Sequence, residues 1–232
     1  MSFQPSFEGP QPGSKTDRIT FIRRTYVHLA AAIAGFIILS AMLMIMGVGE
    51  LMLSALASGG KYSWLVVLGA FLLVGMLATR LADNTGSNHA QLVGLGVYVL
   101  AEALIFSPML TMAAYINDSI IPSAALSTLL LVAGLTYTAF TCKKDFSFLR
   151  SFLNLAGFIA LGAIVAGVVF GFSLGVGFSA LMVLLCAGFV LYDTSNIIHH
   201  YPADRPAGAA LHLFASIATM FWYILRIFMS RD

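Results

Sequence analysis

The side chains best equipped for chemistry gather in the last third of this sequence. His212, Ser216, Thr219, Tyr223 and Arg226 are spaced four, three, four and three residues apart, so they share one face of a helix. The rest of that segment, including Leu211, Leu213, Phe214, Ile217, Met220, Phe221 and Trp222, is almost wholly apolar. A continuous polar stripe on such a helix either lines an aqueous path or hydrogen-bonds to neighbouring helices, and the spacing leaves both open. Three further ionisable groups stand out: Asp193 near the end of the preceding apolar run, Arg80 at the end of an earlier one, and Glu102 inside the next. An ionisable group at mid-membrane costs about 2.5–3.5 kcal/mol, so one that persists faces a partner or a water-filled cavity. Contact between Asp193 and Arg80 would compensate a buried carboxylate. The alternative is that Arg80 snorkels to the headgroups while Asp193 bonds a neighbouring helix.

Histidines near these groups raise metal chemistry. His199, His200 and His212 flank Asp193 and Ser216, and an intramembrane zinc hydrolase could be built from such residues. Adjacent histidines point about 100° apart on a helix, so only one of the first two could join a site. The string HHYPADRP (199–206) also reads as an interfacial loop closed by Pro202 and Pro206. No metal ligand set and no cofactor is assigned, and no apolar run carries the Lys a retinal Schiff base needs. Cys142 and Cys186 lie in apolar stretches without metal or disulfide spacing and read as buried free thiols. The chain is read as a non-enzyme.

The elements that must position these residues follow from composition. Hydrophobic residues make up 59% of the 232 and charged residues 9%, against about 25% charged in a soluble domain. Mean hydropathy is +0.93. The solvent is therefore mostly lipid bilayer. Net charge is +2 with no long basic run, which leaves no electrostatic footprint for nucleic acid. Apolar runs long enough to cross a bilayer fall near 25–46, 63–80, 91–114, 122–142, 152–171, 175–197 and 208–228, predicting an all-α polytopic membrane protein with seven spans. The glycine-rich stretch at 167–177 leaves a re-entrant hairpin as the alternative at the fifth-to-sixth junction. Gly167, Gly171 and Gly175 recur at the spacing of close helix packing.

Residues 1–20, with Pro5, Pro10, Pro12 and Gly13, read as a flexible cytoplasmic tail, and 21–232 as one membrane domain. The first apolar run is too long for a cleaved signal and stays as a span. Lys15, Arg18, Arg23, Arg24, Arg80, Lys143, Lys144, Arg150 and Arg205 fall on one side of the seven spans, against Lys61, Arg226 and Arg231 on the other. The richer side is cytoplasmic, which puts the N-terminus inside and the C-terminus outside; the absence of a signal or retention sequence points to a cell inner (plasma) membrane.

Four segments together resemble the transmembrane Bax inhibitor motif family, in its bacterial-type form: FIRRTYVHL (21–29), KKDFSFLRSF (143–152), FVLYDTSNII (189–198) and ALHLFASIATMFWYILRIF (210–228). The resemblance implies a seven-helix bundle whose last helix is surrounded by the other six. It also implies a calcium leak gated by pH through two aspartates on the last two helices and an arginine on the second. Asp193 matches the first aspartate and Arg80 the arginine. Where the family's final helix carries Leu-Tyr-Leu-Asp, this chain has Leu213, Phe214, Ala215 and Ser216, so Ser216 replaces the second acid.

Asp193 with Arg80 then sums to zero charge, and a neutral site attracts a divalent cation less strongly than a dicarboxylate one. Any pH response falls to Asp193 or to His212, one turn from Ser216. Glu102 departs from the small residue usual before the Ser107-Pro108 kink and is a candidate replacement acid. The expected function is a pH-sensitive leak for calcium or another cation, with an Asp193/Arg80 latch and a pathway past Ser216, His212, Thr219, Tyr223 and Glu102. The alternative is a non-conducting regulator that binds a protease or another membrane protein partner.

Overall fold

The computed structural model describes residues 15–60, 62–84, 86–142 and 144–231, which form eight helices and no strand. Residues 1–14 of the expected tail, and Lys61 and Lys143 of the loop charges, lie outside the described residues. Seven helices are long and apolar enough to cross a bilayer: α1 (Lys15–Ile45), α3 (Ser63–Ala82), α4 (Asn88–Ile116), α5 (Ile120–Thr141), α6 (Leu149–Phe170), α7 (Gly175–His199) and α8 (Pro206–Met229). The eighth, α2 (Val48–Ser58), is too short to span.

Helix α1 starts six residues earlier than the tail assignment allows, so residues 15–20 are helical. Left-handed Gly47 (φ 70°) separates α1 from α2, a conformation only glycine adopts cheaply. Beside it, Gly49 lets α2 lie on α4, because a Cβ there would sit 2.0 Å from Thr111 Oγ1 and 2.8 Å from the Ser107 carbonyl. Helix α4 runs through Pro108, which cannot donate to its i−4 carbonyl. Its start is capped by Ser87, whose hydroxyl accepts from the Ala90 amide at 3.3 Å.

The 167–177 stretch is a turn between two spans. Helix α6 ends at Phe170 with Gly171 left-handed (φ 75°), and α7 starts at Gly175 (φ 64°). These two glycines therefore serve the turn, not a helix-packing stripe, which corrects the reading of their spacing. Cys186 is buried as expected, but Cys142 is exposed because α5 ends one residue before it.

Helix α8 is the most buried span, and it packs against α1, α3, α4, α5 and α7, while α6 packs chiefly on α7. The expected ring of six is thus five helices with α6 outside α7. Residues opposite the polar stripe of α8 fill the bundle with aromatic rings. Phe36 of α1 stands edge-on to Phe106 of α4 at 5.1 Å and to Phe214 of α8 at 6.0 Å, and Phe106 stacks on Phe221 at 5.6 Å. Helices α3 and α4 cross closely at Gly94, where a Cβ would come within 2.5 Å of backbone atoms of Ala78 and Ala82.

Candidate functional site

Two cavities open along α8, one towards each end. The first, of about 570 Å³, is lined by His212 and Ser216 of α8, Asp193 and Asn196 of α7, Asp83 after α3, and Tyr201 in the α7–α8 turn. The second, of about 590 Å³, is lined by Thr219, Tyr223 and Arg226 of α8 and by Glu102 of α4. All five members of the polar stripe therefore face a cavity. Between Ser216 and Thr219 lie three residues' rise, about 4.5 Å. Within that short interval Thr219 Oγ1 donates to the Ala215 carbonyl of its own helix at 2.8 Å.

Asp193 is joined to the stripe through Ser216, whose hydroxyl donates to its Oδ2 at 2.6 Å. The His212 carbonyl, at 3.2 Å, is the other acceptor within reach of that hydroxyl. A hydroxyl has one hydrogen, so the shorter bond to the carboxylate dominates. Ser216 and Asp193 thus form a donor–acceptor pair bridging α7 and α8.

Arg80 takes no part in this arrangement. It is exposed in the last turn of α3, and among the described residues it forms no ion pair. The reason is helical phase: Ala78 and Ala82, both fully buried, face the bundle, and Arg80 stands about 200° from each. The expected Asp193–Arg80 contact is therefore corrected: the guanidinium points outward, where a long side chain reaches the headgroups. Glu102, the expected candidate for a second acid, does not stand beside Asp193 either, because it opens into the other cavity.

Asp83 is the carboxylate that meets the stripe at this end. Its Oδ1 accepts from the Tyr201 hydroxyl at 2.5 Å, and its Oδ2 lies 3.4 Å from His212 Nε2. Burial pushes the Asp83 carboxyl up, but hydrogen bonds from His212 and Tyr201 outweigh it and hold its pKa below the usual carboxylate range. Burial first, and then the neighbouring Asp83, push the Tyr201 phenol well up. Gly208 makes the approach possible, since a Cβ there would meet Asp83 Oδ1 at 2.6 Å, the Ala82 carbonyl at 2.7 Å and the Tyr201 hydroxyl at 2.8 Å.

Arg18 of α1 holds the end of α7 in place. Its Nε donates to the Ile198 carbonyl at 2.9 Å, Nη1 to Tyr201 at 2.5 Å and Nη2 to Asn196 at 3.3 Å. A helix C-terminus leaves such carbonyls without partners, and a cation there also complements the helix dipole. The guanidinium stacks 5.0 Å over Phe21, which in turn stacks on Tyr201 at 6.2 Å.

The histidines part company. His212 faces Asp83, while His200 Nε2 lies 2.5 Å from Asp145 Oδ2 in the α5–α6 loop, and His199 is exposed. Among the described residues, no three His, Cys, Asp or Glu side chains converge as metal ligands. Asp145 accepts at Oδ1 from the Ser147 amide at 2.9 Å and from the buried Ser195 hydroxyl at 3.3 Å. His200 and the Ser147 amide hold its carboxyl down to about 2.

Asp83, Tyr201, Arg18 and Asp145 were not visible as site residues from spacing. Only the Asp-Phe-Ser string of 145–147, with the form of an Asx turn, carried a local signal.

At the level of whole sequences, a family model described as "Inhibitor of apoptosis-promoting Bax1" matches residues 18–232. Similar proteins include Protein LIFEGUARD 4 of Arabidopsis thaliana, 30% identical over 77% of this chain and 72% of its own length. An uncharacterized protein of Pseudomonas aeruginosa is 37% identical over 48% of this chain and 50% of its own length. Bax inhibitor 1 of Schizosaccharomyces pombe is 26% identical over 72% of this chain and 62% of its own. Against several of these curated relatives the chain spans only about half their length.

Proposed function

The chain belongs to the Bax inhibitor family, and from that premise we propose that it is a cation leak of its membrane. It passes calcium or a related cation along the polar face of α8, and it carries out no catalytic step. The observation that supports this reading is that all five stripe side chains open into one of two cavities, one towards each end of α8. Packing glue has no need to face open space at every position.

In this reading Asp193 supplies the negative charge at one cavity, and the Ser216 bond holds α7 against α8 in the closed state. The pathway opens when that bond gives way and the short Ser216–Thr219 interval admits water. Protons compete at Asp193, His212 and Asp83, which together share this cavity. Arg18, Arg150 and Arg205 stand at the same end of the bundle, so the positive-inside rule makes it the cytoplasmic end in a plasma membrane.

A second reading, a non-conducting regulator with a membrane protein partner, is favoured by the ring-filled side of α8. Flux from calcium-loaded vesicles separates the two. A leak requires the parent chain to exceed empty vesicles, Asp193→Asn to slow it about tenfold, the factor that about 1.4 kcal/mol of lost attraction gives, and Arg80→Ala to leave it unchanged. Parent flux no faster than empty vesicles would leave the regulator reading standing alone.

A further inference from the structure

The Glu102 cavity contains an acid that nothing in the packing of the fold demands. Glu102 is 4% exposed, sits at the middle of α4, and forms no ion pair among the described residues. Its hydrogen-bond partner is Tyr98, one turn earlier on the same helix. A tyrosine could be satisfied there by a neutral acceptor, at lower cost than burying a carboxyl in a lipid-embedded bundle. What distinguishes the position is that it lines open space.

The cavity walls sharpen the point. Leu68 and Phe71 of α3, Ile164 of α6 and Met109 of α4 are apolar, and the titratable groups facing the space with Glu102 are Tyr223 and Arg226 of α8. Tyr98 approaches Glu102 from its own helix. Helices α2, α3 and α6 bring no titratable lining group. The walls are mostly apolar, so a carboxylate there attracts a cation more strongly than it would in water, with the Arg226 guanidinium as a fixed cation lining the same space.

We propose that Glu102 is the cation-accepting group of the second cavity, so that the pathway carries two acids in series, one at each end of the α8 stripe, in place of an adjacent pair. A cation leaving the Asp193 cavity meets Thr219 and then the Glu102 carboxylate before it reaches the other face. This inference rests on the leak reading, and its test is arranged so that the two can fail separately.

The experiment uses the full chain in vesicles with one insertion orientation, calcium as the permeant probe, and pH set independently on each face. Glu102→Gln keeps the size of the side chain and an acceptor for Tyr98, while Glu102→Asp keeps the charge. Glu102→Gln is expected to slow the leak about tenfold, on the scale of one lost charge–cation contact, and Glu102→Asp to retain most of it. Acidifying the Glu102 face should slow the parent but not Glu102→Gln, whereas acidifying the Asp193 face should act on both. Thermal melting of both variants checks the fold, and a merely structural Glu102 would leave the sided pH response unmoved. A parent that leaks with Glu102→Gln indistinguishable from it overturns this inference alone. A parent that leaks no faster than empty vesicles overturns it together with the pathway. If Glu102→Gln does not fold, a Glu102→Asp protein that has lost the response to acid on its own face overturns the inference equally well.

Discussion

The two ends of α8 solve the problem of polar groups in lipid in opposite ways. At the Asp193 end, side chains from α7, the residue after α3 and the α7–α8 turn meet His212 and Ser216, and Arg18 of α1 ties down the end of α7. At the Glu102 end the acid has a bond to Tyr98 of its own helix and a mostly apolar cavity around it. The first end is a connected network, in which moving one group disturbs several elements. The second is an acid with one bond to its own helix, so its removal disturbs few other elements. Mutations should therefore alter stability and function together at the first end and separately at the second.

The largest expected effect tests that contrast by backbone packing. Gly208→Ala pushes a methyl group into Asp83, Tyr201 and the Ala82 carbonyl, the last of which cannot rotate away. Overpacking of this kind costs about 1–3 kcal/mol, which is several degrees of melting temperature. At the other end, a Cβ on Gly167 would lie 3.2 Å from the Phe172 carbonyl, which asks for only a small shift. Thermal melting in detergent should place Gly208→Ala well below Gly167→Ala. Equal losses would mean that the network end is no more tightly interlocked than the apolar one.

How far the sequence disclosed this division depends on the range of the interaction. Span number, the polar face of α8 and the placing of Asp193 on the preceding helix all follow from hydropathy and a 3.6-residue period, which are local. The Asp83–Tyr201 bond joins residues 118 positions apart, and the Arg18–Tyr201 bond 183, so no spacing rule reaches them. Arg80 misled for a related reason: its type and depth suit an ion pair, but the phase of α3 is fixed by Ala78 and Ala82, whose packing at Gly94 of α4 a single sequence does not reveal. The turn after α6 was obscured because its glycines fit a packing stripe and a chain reversal equally well.

An intermediate effect is expected from placing an acid at position 216. Ser216 now donates to Asp193 at 2.6 Å, so Ser216→Asp would set two carboxylates against each other where a hydrogen bond stands. Like charges that close must share a proton or a cation. The substituted chain should show a steeper dependence of leak on calcium and on pH at the Asp193 face, with no change in its response at the Glu102 face. Flux titrations on each side measure this. A calcium dependence equal to the parent's would show that position 216 does not face the permeant ion.

The smallest effect belongs to the rim of the network. Asp145 tethers the α5–α6 loop to the end of α7 through His200 and Ser195, and the Phe146 amide donates to the Ser195 hydroxyl at 3.0 Å. The carboxylate is exposed, so screening by solvent keeps the stabilisation modest. Its sign is nonetheless fixed. Because the folded-state pKa is held down to about 2, below the ordinary value near 3.9, the contribution is present above that ordinary value and is lost as pH falls towards 2. Asp145→Asn should therefore melt slightly below the parent at neutral pH, with the gap closing as pH approaches 2. Hydrogen exchange at Phe146 should quicken in the same variant at neutral pH, while amides around Glu102 stay as protected as before. A gap that stays constant down to pH 2 would show that the tether depends on the shape of the turn and not on its charge.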